Sequence, residues 1–130
     1  MPDAVTTAAT VVTWAIAAGI IFIGTRFLVA PQRAATDFGI PGNRTVDDLN
    51  FRAWLSVKGV RDIVSGLFLL IVLLAGDTHL HGWIMLAGSL TALGDALITK
   101  LSGGPAAAYY GIHGSTAAVM AAAGAVLLLS

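Results

Sequence analysis

A lysine, an arginine and an aspartate stand within about one helical turn of each other in "LSVKGVRDIVSGLFLLIVLLAG", residues 55–76: Lys58, Arg61 and Asp62. The same stretch ends in an uncharged apolar run, so these groups belong to a segment otherwise suited to lipid. An ionised aspartate near the centre of a membrane helix costs about 2.5–3.5 kcal/mol on insertion scales, and less toward the interface. Such a residue has to be paired, hydrated or used. A second aspartate, Asp95, sits in "LGDALI", and His113 follows two tyrosines in "YYGIHGSTA". A carboxyl group in a low-dielectric pocket can donate a proton near neutral pH, while a nearby cation keeps a second carboxylate ionised as the base. These residue types therefore point to acid–base chemistry on a hydrophobic small molecule, such as isomerisation, cyclisation or epoxide opening. In that scheme Asp62 and Asp95 are acid and base in either order. His113 with Tyr109 and Tyr110 orients the substrate, and Arg61, Lys58 or Arg26 balances the charge.

The elements that must position these groups follow from composition. Hydrophobic residues make up 57% of the 130 and charged residues only 11%, against about 25% charged in a typical soluble domain. So few charges cannot coat a water-exposed globule, and the chain reads as a single integral membrane domain over residues 1–130. Its partners are the lipid bilayer and a hydrophobic ligand. Zero net charge gives no basis for nucleic-acid binding, and the absence of cysteine excludes disulfides and thiolate chemistry.

Crossing a bilayer takes roughly 20 apolar residues in a helix. Four stretches meet that measure, at about 4–30, 53–75, 80–101 and 105–129. The first is expected to span rather than to be a cleaved signal, because Asp3 stands where a positive region should be. Residues 31–52, with Pro31, Gly39, Pro41 and Gly42, read as a loop with at most a short interfacial turn. The tight connections "GDTH" and "SGGP" make the second and third helices, and the third and fourth, antiparallel neighbours. The expected fold is all-α, an up-down-up-down four-helix bundle. All seven basic residues lie at or near the side carrying the first and third loops. The positive-inside rule then makes loop 31–52 cytoplasmic and puts both termini on the other side, with the plasma membrane as the expected location.

This topology brings distant residues to similar depths. At 1.5 Å per residue, Arg26 lies roughly 6 Å inside its helix end, Lys58 roughly 8 Å, Asp95 roughly 9 Å, His113 roughly 12 Å and Asp62 roughly 14 Å. Lys58, Arg61, Asp62 and Ser65 share one helix face. The aspartates are expected to face inward, paired with Lys58 on the same helix or with Arg61 or Arg26, in a pocket roofed by the long loop.

Each residue also has a purely structural reading. Lys58 and Arg26 could snorkel to headgroups, Lys100 is an interfacial anchor, and Asp62 and Asp95 could be ion-pair members that fix helix register. His113 could serve interhelical hydrogen bonding alone. His79 and His81 bracket Leu80 without a third ligand, so neither a metal nor a cofactor is expected. The alanine- and glycine-rich last helix suits close packing, and a homodimer interface would be an additional role for it.

The cluster in "KGVRDIVSG", the "LGDALI" of the third helix and the "YYGIHGSTA" of the fourth resemble the small membrane proteins of the domain-of-unknown-function 4267 family, over nearly the whole chain. That resemblance implies a compact four-helix membrane fold and no established chemistry. In logic alone the cluster is similar to the acid-lined pockets of integral-membrane terpene cyclases and sterol-isomerase-like bundles, from which no residue carries over. Two other classes fit the same residues. One is a homodimeric proton-linked small transporter, although a polar cluster on one side of the bilayer suits alternating access poorly. The other is an accessory subunit whose cluster docks a larger membrane complex.

Overall fold

The computed structural model describes residues 3–130, which are helical apart from their connections, the longest being residues 39–48, and contain no strand. Helix α1 (Ala4–Val29) starts where the Asp3 carboxylate accepts the Thr6 backbone N–H at 2.7 Å. That bond satisfies one of the donors a helix start leaves free. It stops at Ala30, and Pro31 opens α2 (Pro31–Phe38), since proline suits the first position of a helix and cannot continue one. Gly39 closes α2 in the left-handed region at φ 98°. Asp48 caps α3 (Leu49–Ala75) by accepting from the Asn50 and Phe51 amides. Gly76 ends it at φ 77°, and Asp77 caps α4 (Thr78–Leu101) through the Leu80 amide. Helix α5 (Ala106–Leu129) contains a π-helical stretch, Tyr109–Gly114.

The expected four helices are thus five, because residues 31–38 form α2 rather than a loop. Proline and glycine punctuate its ends. Pro31, Ala34, Ala35 and Phe38 fall at i, i+3, i+4 and i+7, the spacing of a single buried stripe. Helix α3 also begins earlier than expected, at Leu49, because Asp48 supplies its cap.

Packing corrects the expected pairing of α3 with α4. These neighbours in sequence touch little, and the intimate pairs are α1 with α3 and α4 with α5, joined by α1 against α5. Small residues decide the pairing. A Cβ on Gly24 would lie 2.6 Å from the Gly59 carbonyl oxygen, and one on Gly59 would lie 2.7 Å from that of Gly24. The second pair repeats the device: Gly82 and Gly124 would each put a Cβ 2.9 Å from the other's carbonyl oxygen. Only glycine allows backbones to approach so closely. The two pairs meet in one core of Ala9, Ala17, Leu69, Leu73, Met85, Met120, Ala123 and Leu127, all in the half remote from α2.

The outward surface is apolar. Phe22 is 65% exposed, Phe68 64%, Leu90 66% and Leu74 76%, far beyond the isolated exposed side chains of a water-soluble monomer. Helices α1, α4 and α5 are long and apolar enough to cross a membrane. Helix α3 has the length, at 27 residues, but carries Arg52, Lys58, Arg61 and Asp62 in its first half.

Candidate functional site

Helix α2 lies over one end of the bundle and is tied to it on several sides. Asp37 pairs with Arg26 of α1. The Phe38 ring meets Phe27 of α1 edge-on, with centroids 6.4 Å apart, and packs on the His113 ring of α5 at 4.3 Å. His113 is buried, and its Nε2 lies 2.8 Å from the Phe38 carbonyl oxygen. A carbonyl can only accept, so Nε2 carries the proton and donates. Gly39 then passes so close to Ala108 that any side chain there would collide with it. The π-helical stretch fits around these contacts: a Cβ on Gly114 would sit 2.8 Å from the Tyr109 carbonyl oxygen, five residues back.

Beneath α2, where α3 and α4 part, lies a cavity of about 620 Å³. Phe27, Phe38, Phe51, Leu55 and Ile98 supply its apolar wall, Lys58 and Asp95 its interior charges, and residues 40–44 with Gln32 and Thr36 its rim. Ile98 lines the cavity and is 54% exposed, and Gln32, Thr36 and residues 40–44 of the lining are exposed as well, so the space is open to the surroundings. A smaller cavity of about 110 Å³ lies behind the Phe27 and Phe38 wall, beside Arg26, Asp37 and His113.

The charges are unequally partnered. Lys58 Nζ donates to Asp62 Oδ2 at 2.9 Å, one turn along α3, and stands 5.0 Å from the centroids of both Phe27 and Phe38. Its ammonium thus has a carboxylate and two aromatic faces, a favourable setting for a partly desolvated cation. Arg44 on the rim pairs with Asp48 at 2.9 Å. Asp95 is half-buried and within electrostatic reach of Lys58, His113 and Asp62. Among the described residues its carboxylate has no ion-pair or hydrogen-bond partner. Among the described residues the fully buried Thr99 Oγ1, one turn beyond Asp95 on α4, also lacks a hydrogen-bond partner.

The residues singled out from sequence therefore divide. Lys58, Asp62, Asp95 and His113 gather around Phe27 and Phe38. Arg26 is taken by Asp37 of α2, not by Asp62 or Asp95, and Arg61 is exposed without an ion pair among the described residues. Tyr109 and Tyr110 pack on each other at 4.5 Å, each ring centroid 5.7 Å from Lys100 Nζ, and neither lines either of these two cavities. His81 is a tie between helices, its Nε2 donating to the Val72 carbonyl at 2.6 Å. The aromatic pair Phe27 and Phe38 was not marked by sequence reasoning, although the i, i+3, i+4, i+7 stripe of α2 was there to find Phe38.

Length, apolarity and an apolar outer surface define the class, a small all-helical membrane protein with an amphipathic helix closing one end. Within that class the chain belongs to the family described as Domain of unknown function (DUF4267), which matches residues 17–127 and so takes in α2, the cavity wall and His113. No curated protein and no solved structure matches the chain.

Proposed function

We propose that the chain binds a hydrophobic small molecule that reaches the cavity from the lipid between α3 and α4. The observation that carries this reading is the unpartnered Asp95 carboxylate in a space of about 620 Å³ walled by Phe27, Phe38, Leu55 and Ile98. That volume falls within the range of about 300–1,000 Å³ that accommodates drug-sized ligands, and an apolar wall with a few convergent polar groups is their usual setting. Asp95 is the group that meets the ligand's polar atom and exchanges a proton with it. The Lys58–Asp62 pair holds the local charge in balance, and α2 keeps water from the Phe38 side. Double-bond isomerisation is the simplest reaction such a site serves, since a proton given at one alkene carbon and another taken from the carbon beyond the cationic centre shifts the double bond and needs no co-reactant. The basic residues at the α2 end favour a cytoplasmic position for α2, with both termini outside a plasma membrane.

Native mass spectrometry of protein purified in mild detergent tests this reading. An apolar ligand is expected on the wild type and lost from Ile98→Trp, which fills the cavity mouth from an already exposed position. A well-folded wild type without ligand, after incubation with a total lipid extract, would contradict it.

A further inference from the structure

Resting on that reading, we propose that the ligand is a lipophilic amine, held by Asp95 as its counter-ion. The argument starts from charge. Each cation in the cavity wall already has a carboxylate of its own, Lys58 with Asp62 and Arg44 with Asp48, both at 2.9 Å. Asp95 is therefore the one carboxyl group among the described wall residues without a basic partner, and an amine is the occupant that supplies one. A lipophilic anion would face Asp95 with no free cation to receive it.

The wall also displays the recognition chemistry on itself. The Lys58 side chain is a primary ammonium on an alkyl stem, and it is held by one carboxylate and by two phenyl faces at 5.0 Å. Asp95 offers a second carboxylate without an ammonium, in a cavity lined by Phe27, Phe38 and a third ring, Phe51. An amine suits access from lipid as well. It dissolves there as the neutral base and reaches Asp95 in its carboxylic acid form. The proton then leaves the carboxyl oxygen for the nitrogen lone pair, giving an ammonium hydrogen-bonded to a carboxylate. No further reactant is needed, and the ion pair forms where water is scarce and the interaction is strong.

The test uses the full chain in lipid nanodiscs and a matched pair of probes, 1-naphthylmethylamine and 1-naphthylmethanol, which differ in the polar group alone. We expect the amine to bind the wild type about tenfold more tightly than the alcohol, the scale of one desolvated cation–π and ion-pair contact. Asp95→Asn abolishes the preference, and Asp95→Glu retains it. Lys58→Gln strengthens amine binding, because it frees the Asp62 carboxylate. Equal binding of both probes, or tighter binding of the alcohol or of 1-naphthylacetate, overturns the amine assignment and leaves the hydrophobic-ligand reading standing. Binding of none of the three overturns both. The wild-type comparison decides the question even if Asp95→Asn fails to fold.

Discussion

The two ends of this bundle are built on opposite plans. Remote from α2, eight buried residues from α1, α3, α4 and α5 fill the interior, with Met85 and Leu127 at 0% exposure. The polar groups there are spent on local ties, Thr6 with Ser130 and His81 with the Val72 carbonyl. At the α2 end the apolar cluster holds three buried residues, Phe27, Ala34 and Leu55. The rest of the space is a cavity holding an ammonium and a lone carboxylate. One glycine crossing serves each helix pair, Gly24 with Gly59 and Gly82 with Gly124. The contrast teaches that a bundle packed tightly in one half can carry a cavity in the other.

The largest way to break the contrast is Gly124→Val. Its new side chain would start 2.9 Å from the Gly82 carbonyl oxygen and 3.0 Å from Leu86, so the α4–α5 pair has to separate. A loss of about 3 kcal/mol or more is expected, read as loss of monodisperse protein in size-exclusion chromatography. Next in size is a matched truncation. Leu127→Ala should cost about 2–5 kcal/mol because it hollows a filled core, whereas Ile98→Ala, at a half-exposed cavity wall, should cost under about 1 kcal/mol. Thermal unfolding in one detergent compares the two, and equal losses would erase the distinction between the ends.

Phe38→Ala sharpens the comparison. It removes the ring that touches Phe27, His113 and the Lys58 ammonium, so α2 loosens and the cavity loses a wall. Ligand affinity is expected to fall about tenfold. Amide exchange should quicken across residues 34–38 and stay unchanged at Met85 and Leu127. The smallest effect belongs to the far end. The Thr6 backbone N–H beside Asp3 holds its carboxyl below the usual carboxylate value. That cap contributes fully above the unfolded-state value of about 4 and is lost as pH falls through the lower folded value. Protection of the Thr6 amide should therefore drop on acidification below about pH 4, and Asp3→Asn should remove that pH dependence while keeping a cap.

Much of this arrangement was legible in the residues. The apolar runs marked the long helices, the i, i+4 spacing of Lys58 and Asp62 anticipated their ion pair, and helix-end counting brought Asp95 and His113 to the depth of Lys58. Other features were not. Prolines and glycines made 31–52 look like a loop, because a helix as short as α2 shows in sequence only through its flanking Pro31 and Gly39 and a four-residue stripe. Short connections implied that α3 lies along α4. Connection length limits distance at the loop alone, while the glycine crossings decide which helices stay in contact along their length. Tyr109 and Tyr110 share an apparent stripe with His113, yet they pack with Lys100. Only a regular helix keeps such a stripe on one face, and the π-helical turn there rotates it.

Photolabelling tests the central claim most directly, that the α2 end and not the packed end receives a hydrophobic molecule. A short alkyl diazirine is activated in nanodiscs containing the wild type and the Ile98→Trp variant, and adducts are mapped by peptide mass spectrometry. Adducts on the cavity wall around Phe38, Leu55 and Ile98, suppressed in Ile98→Trp, with none on Met85 or Leu127, are the result expected. Labelling confined to outward side chains such as Phe22, Phe68 and Leu90, and equal in the two proteins, would contradict it.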